Sequence, residues 1–352
     1  MSEKGNRIIH LKFNHSNTLL YVSTSQGFRI FRLEDSKIIS RRDRILSINF
    51  LGGFSSILPL YDSQKLALVG TSTNSKFAPF QLSIWDEYQA SILQTLTYPS
   101  PILKLISRRE YIGVIESDSI TLISSSTFQQ FKSFETINNP NAVAALNKSG
   151  SIILLIPGKA PGELQIENLS KSSSMCRKLH ENPISCVELN ESGTMGVSCS
   201  EYGTVIRVFC CETFNILHEL RRGTTSAKIN CLLFSEDSCY LAAGSNKNTV
   251  HIWNLDLLGE SHQSWIIPSC LTYTRSYCKI RITPDVMWTC EDSQIGPSLC
   301  FTEDRFLYVS HLDGNAYCYE LSNLDPVQKK VGCFLDFEEE FVEDDCEWTS
   351  LE

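Results

Sequence analysis

Leu220-Arg221-Arg222-Gly223 is the stretch best suited to chemistry in this chain of 352 residues. Two arginines close an apolar, strand-like run from Phe214 to Leu220, and a glycine follows at once. In an extended backbone successive side chains point to opposite faces. Neighbouring arginines there serve two pockets, one on each side of the strand, more readily than one. A guanidinium offers a planar fork of donors to phosphate, and each charge-assisted contact is worth roughly 1.5–3 kcal/mol. The chemistry is thus a pair of phosphate sites. The plain alternative is a solvated basic pair at a strand end.

The surrounding sequence must supply the elements that hold such pockets. It repeats weakly with a period of about 45 residues. One copy runs Ile184-Ser-Cys-Val-Glu-Leu-Asn-Glu-Ser-Gly193 and then Ser200-Glu-Tyr-Gly-Thr-Val-Ile-Arg-Val-Phe209. The next runs Ile229-Asn-Cys-Leu-Leu-Phe-Ser-Glu-Asp-Ser238 and then Ser245-Asn-Lys-Asn-Thr-Val-His-Ile-Trp253. Fainter copies lie at Leu11–Asn14 with Gly27–Phe31, at Leu66–Gly70 with Leu82–Asp86, and at Leu299–Thr302 with Asp313–Tyr319. Each unit reads as short strands, a polar turn and small residues, with almost no helical periodicity. Four short strands per unit is the sequence form of a propeller blade. One blade leaves both faces bare, so blades must close into a ring. The expected fold is all-β, a seven-bladed β-propeller of WD-repeat type over residues 1–335. The regular period argues against a sandwich.

Composition bounds the function. Apolar residues make up 42% of the chain, enough for a large core, and no apolar run is longer than that at Ile152–Ile156, which is too short to span a bilayer. Met1–Asn6 carries no apolar signal region, so the expected location is cytoplasmic. All fourteen cysteines lie from Cys176 onward without a C-x-x-C pair, and they read as small, mostly buried thiols rather than disulfides or zinc ligands. The formal charge is −9. Nine acidic residues fall within 336–352 with no Lys or Arg among them, so the rest of the chain is neutral. A neutral body does not suggest nucleic-acid binding. No nucleophile elbow, H-E-x-x-H or Walker loop is present, no metal or cofactor is implied, and an enzyme is the least favoured class.

The ordered elements together resemble the PROPPIN family, β-propellers that bind polyphosphoinositides. They are Leu66-Ala-Leu-Val-Gly70 leading to Ile84-Trp-Asp86; Glu135-Thr136 with Asn139-Pro140; Pro157-Gly158 with Gly162; Gly203-Thr204 with Ile206-Arg-Val-Phe209; Leu220-Arg-Arg-Gly223; Thr249-Val-His-Ile252; and Arg275-Ser276 with Lys279 and Arg281. The compact animal-type members are the most similar in the second blade and around Asn139-Pro140. The resemblance implies two head-group sites flanking the double arginine. The first would use His180, Ser200, Thr204, Arg207 and Arg221. The second would use Arg222, Ser245, Thr249 and His251. Either histidine is alternatively a satisfied core residue, either threonine an ordinary strand residue, and Arg275 a brace for its blade.

The resemblance also implies that the long connection from Asp256 to Tyr273 dips into the membrane, with Trp265, Ile266 and Ile267 as its anchor. Packing of these residues on the propeller edge is the alternative. The implied ligands are membranes bearing phosphatidylinositol 3-phosphate or the 3,5-bisphosphate. The implied role is a scaffold in autophagosome formation, peripheral on autophagosomal or endosomal membranes, with an autophagy lipid-transfer protein as partner. A generic WD-repeat propeller for protein contacts alone is the competing reading. The acidic tail, 336–352, reads as a disordered extension. It ends in Glu343-Asp-Asp-Cys-Glu-Trp-Thr-Ser-Leu351, where Trp348 and Leu351 match the spacing of a short motif that binds ubiquitin-like autophagy modifiers by strand addition.

Overall fold

The computed structural model describes residues 8–35, 37–42, 52–61, 63–72, 76–258, 274–281, 297–302, 306–310, 315–321 and 327–333. The expected architecture is present. The described strands form seven sheets, each built from four strands in chain order, except that Thr274–Arg275 leaves the run of blade six and adds to the edge of blade five. Blade one runs from Ile8–Phe13 to Ile38–Arg41, blade two from Phe54–Pro59 to Ser91–Thr97, and blade three from Lys104–Ser107 to Gln130–Glu135. Blade four runs from Ala145–Leu146 to Ser173–Lys178. Blade five holds Ile184–Leu189, Met195–Ser200, Val205–Cys210 and Ile216–Arg221. Blade six holds Ile229–Phe234, Tyr240–Ser245, Thr249–Asn254 and Cys278–Arg281, and blade seven runs from Ser298–Phe301 to Val327–Cys333. A single 3₁₀ turn, Asp256–Leu258, is the one helical element among the described residues.

The first strand of each blade packs against the first strands of its neighbours, which sets them around the ring axis. The second and third strands are buried on both faces, whereas outer strands such as Ser173–Lys178 are largely exposed. Four of the inner hairpins, in blades one, four, five and six, share one local device. A polar residue ends the first strand, and its side chain accepts from the backbone N–H that opens the second. Asn14 Oδ1 accepts from Leu19 at 2.9 Å, Asn147 Oδ1 from Ile153 at 2.8 Å, Asn190 Oδ1 from Met195 at 2.9 Å and Ser235 Oγ from Tyr240 at 2.8 Å. Short polar side chains favour such turns because they mimic a backbone acceptor.

The hydrophobic core is divided into seven clusters, one in each crevice between neighbouring blades. Val187 and Leu189 of blade five meet Leu155 and Ile166 of blade four. On the opposite face, Val197, Ile206 and Leu220 meet Leu241, Ala243 and Trp253 of blade six. Leu11 and Phe31 of blade one meet Cys300 and Ala316 of blade seven. The ring therefore closes by side-chain packing, since among the described residues the first and last sheets share no strand. Each fully buried Leu, Ile or Phe contributes roughly 1.5–3 kcal/mol. Among the cysteines whose side chains are described, only Cys176 is exposed. Among the described residues no helix is long and apolar enough to cross a membrane.

Candidate functional site

The register of blade five fixes the two arginines. Leu220 pairs with Ile206 and sits in the crevice between blades five and six. Arg221 pairs with Val205, and Glu219 with Arg207, so these four residues share the opposite face, toward blade four. Arg222 lies just past the strand. Its Nε donates to Gly203 O at 2.7 Å and its Nη2 to Thr225 O, which draws the guanidinium back to the blade-six side. The tight turn at Gly203 makes this possible. Its φ is +58°, and an added Cβ would lie 2.0 Å from Ala227 O.

On the blade-four side, His180 and Arg207 meet. Arg207 Nη1 lies 3.1 Å from His180 Nδ1 and donates to Leu179 O at 2.6 Å, while its Nε donates to Glu219 Oε1 at 2.6 Å. His180 Nε2 lies 3.0 Å from Ser198 Oγ. Gly162, with φ of +77°, seats this segment by accepting from the Leu179 and His180 N–H groups. Burial, then the Arg207 charge, hold the His180 pKa down at about 4. His180 is therefore neutral at pH 7, and both ring nitrogens are engaged. Ser200 ends the second strand and is buried, and Thr204 stands half-buried beside Gly203. All five residues expected for the first site thus lie in blade five or its approach from blade four.

On the blade-six side, Ser245 and Thr249 are cross-strand partners, with hydroxyl oxygens 2.8 Å apart. Thr249, His251 and Trp253 alternate with Val250 and Ile252, which enter the next crevice. They therefore face blade five and Arg222. His251 is buried, its Nδ1 lies 3.1 Å from Ser276 Oγ, and its Nε2 has no hydrogen-bond partner. Its ring stacks on Trp253 at 5.9 Å. Burial, then Lys279 and Arg222, push the His251 pKa down to about 4. Arg222 is buried and has no carboxylate within ion-pair distance among the described residues, and desolvation lowers its pKa. A buried, uncompensated guanidinium beside a neutral imidazole with a spare nitrogen is an arrangement that favours an anion.

Residues outside the sequence-derived site sets complete this geometry. Thr249 pairs with Arg281 and His251 with Lys279, so two exposed cations flank the second pocket. The alternation Cys278-Lys279-Ile280-Arg281 is a legible strand signal that put both cations on one face. Ser276, Ser198 and Glu219 carry no such signal. The strand Thr274–Arg275 pairs in parallel with the outer strand of blade five, placing Arg275 in register with Arg221. The chain therefore passes from the edge of blade five to blade six between Arg275 and Cys278. The base of the long connection includes Leu257, 71% exposed. Trp265, Ile266, Ile267, Trp348 and Leu351 lie outside the described residues.

Comparison with known proteins agrees with this architecture. A family model described as PROPPIN matches residues 8–273. SVP1-like protein 2 of Debaryomyces hansenii is 31% identical, with 77% of this chain and 70% of that protein aligned. Autophagy-related protein 18e of Arabidopsis thaliana is 27% identical, with 71% and 66% aligned. The solved structure of Kluyveromyces lactis Hsv2 with a complete loop 6CD has the same fold, with a TM-score of 0.73 at 21% identity over 93% of this chain and 98% of that one. With its seven blades and a family match over most of its length, this chain belongs to the PROPPIN family.

Proposed function

We propose that this propeller is a membrane-recruited scaffold that reads phosphatidylinositol 3-phosphate or the 3,5-bisphosphate through pockets on either side of blade five. The observation that carries the reading is Arg222, a buried guanidinium without a carboxylate partner, facing His251 with its unpartnered Nε2. A phosphate there replaces lost hydration with charge-assisted bonds, each worth roughly 1.5–3 kcal/mol. Ser245 and Thr249 add hydroxyls, and Lys279 and Arg281 add long-range attraction. His180, Ser200, Thr204, Arg207 and Arg221 form the first pocket. There Arg207 is already oriented by Glu219 and Leu179, which reduces the ordering cost of binding.

The pockets flank blade five, and Thr274–Arg275, which follows the long connection, pairs with the outer strand of that blade. Two weak head-group contacts and an inserted loop then reinforce one another through effective concentration. Trp265, Ile266 and Ile267 are the proposed anchor. The relatives named for autophagy support a role in that process. The proposed step is autophagosome formation, and the proposed partner is an autophagy lipid-transfer protein. Liposome flotation tests the reading. Wild type floats with vesicles carrying 3-phosphorylated inositides and stays behind with phosphatidylcholine alone. Failure to float at modest salt would leave a scaffold for protein contacts only.

A further inference from the structure

The double arginine has a counterpart in blade one. The outer strand Ile38–Arg41 ends on Arg41 and Arg42 follows, as Ile216–Arg221 ends on Arg221 before Arg222. The registers match. Ser40 pairs with Ile30 and Arg41 with Arg29, as Leu220 pairs with Ile206 and Arg221 with Val205. The Arg42 N–H donates to Phe28 O at 2.8 Å, and the Arg222 N–H to Thr204 O at 3.0 Å. The blades that follow correspond as well. Trp85-Asp86-Glu87 closes the third strand of blade two where Trp253-Asn254-Leu255 closes that of blade six. Trp85 pairs with Leu66 and Trp253 with Leu241. Asp86 Oδ1 accepts from Gln89 N, and Asn254 Oδ1 from Leu257 N. The Glu87 N–H donates to Gln64 O at 2.9 Å, and the Leu255 N–H to Cys239 O at 2.7 Å. Glu87 and Leu255 thus hold one position in two blades, and both are buried.

What fills that position differs in charge. Glu87 Oε1 accepts from Arg42 Nε at 2.8 Å and from Ser40 Oγ at 2.5 Å, and Glu87 Oε2 accepts from Trp85 Nε1 at 2.7 Å. A guanidinium, a hydroxyl and an indole N–H converge on one buried carboxylate, which makes an anion pocket with its anion built in. In blade six Leu255 packs in one cluster with Leu220, in the places of Glu87 and Ser40. The donors that Glu87 gathers are left over there. Trp253 Nε1 is buried without a hydrogen-bond partner. Arg222 has the carbonyls of Gly203 and Thr225 and no carboxylate within ion-pair distance among the described residues.

We propose that the residue at this position decides which double arginine reads phosphate: Glu87 shuts an anion pocket at Arg42, and Leu255 keeps the one at Arg222 open. The Arg42 pocket takes a phosphate-bearing anion once the Glu87 carboxylate is gone, because the donors that hold a carboxylate suit phosphate oxygens equally. The role of Leu255 rests on Arg222 being a head-group ligand, whereas the role of Glu87 does not.

Calorimetry with inorganic pyrophosphate on the full chain carrying Arg221→Thr and Arg222→Thr tests the shut pocket apart from the open ones. Adding Glu87→Leu creates one new site per chain, which weakens with added salt and disappears on further adding Arg42→Met. Pyrophosphate also raises the melting temperature of the Glu87→Leu chain. Glu87→Gln keeps the shape of the side chain and removes its charge, and it shows a weaker form of the same gain if the leucine variant does not fold. No new site in the variant that folds, or one that survives Arg42→Met, overturns the proposal. Conversely, Leu255→Glu in an otherwise unchanged chain gives Arg222 and Trp253 Nε1 a carboxylate. It weakens the second site for soluble inositol 1,3-bisphosphate by about tenfold or more. Full affinity in a folded Leu255→Glu chain overturns the role of Leu255. A wild-type chain that binds no head group, together with a pyrophosphate site gained in Glu87→Leu, overturns the reading of Arg222 and supports the shut pocket.

Discussion

His180 Nδ1 lies 3.1 Å from Arg207 Nη1, and the direction of that bond is fixed by chemistry. A guanidinium can only donate, so Nδ1 accepts and the ring proton sits on Nε2, where it donates to Ser198 Oγ. His180 thus aims Arg207 from a single neutral tautomer. His180→Ala removes an acceptor from a half-buried guanidinium and costs about 1–3 kcal/mol of stability. Head-group binding at the first pocket weakens with it, by about tenfold. Calorimetry with soluble inositol 1,3-bisphosphate and a melting curve read both effects. An unchanged melting temperature would remove the positioning role.

The double arginine divides into two different side chains. Arg221→Thr and Arg222→Thr each leave one pocket and weaken flotation in part, and together they abolish it. Arg222→Thr also strips donors from Gly203 O and Thr225 O, so it melts a few degrees lower, in line with about 1–2 kcal/mol. Far-ultraviolet circular dichroism keeps its β signature in every variant. Loss of that signature in the double variant would assign the arginines to the fold instead of the ligand.

Acid weakens the fold through two buried histidines. His180 and His251 are 4% and 3% exposed, and each pKa falls from the ordinary 6.5 to about 4. As pH drops through 6.5, the unfolded chain takes up these protons before the folded one does. Their contribution is complete above pH 6.5 and is lost between 6.5 and about 4, on the order of 3 kcal/mol for each. Melting temperatures between pH 7.5 and 4.5 fall steeply for wild type and less steeply for His180→Asn with His251→Asn. Identical slopes would mean other groups control acid stability.

Insertion and head-group recognition separate in the loop. Trp265→Ser with Ile266→Ser reduces flotation several-fold, since each inserted apolar side chain is worth about 1.5–3 kcal/mol at most. Affinity for the soluble head group stays at the wild-type level. Equal losses in both assays would indicate a damaged blade six.

The tail motif is testable as a peptide. A peptide covering residues 338–352 binds ubiquitin-like autophagy modifiers with micromolar affinity, about −8 kcal/mol, by adding a strand and seating Trp348 and Leu351. Fluorescence anisotropy measures it, with Trp348→Ala and Leu351→Ala as controls. Equal binding by the doubly substituted peptide counts against the motif.

The sequence by itself determined the blades and the division of the arginines. Period-two alternation over Ile206–Phe209 and Leu220–Arg222 is local, and a strand converts it directly into faces. The polar residues that end inner strands, Asn147 and Asn190 among them, fixed hairpins by the same local rule. The chain alone also carried Lys279 and Arg281 on one face of a strand. Only the tertiary structure brought that face against Thr249 and His251, because the partners lie across a long connection whose length says nothing about register. The bonds from Ser198 to His180 and from Ser276 to His251 belong to the same class.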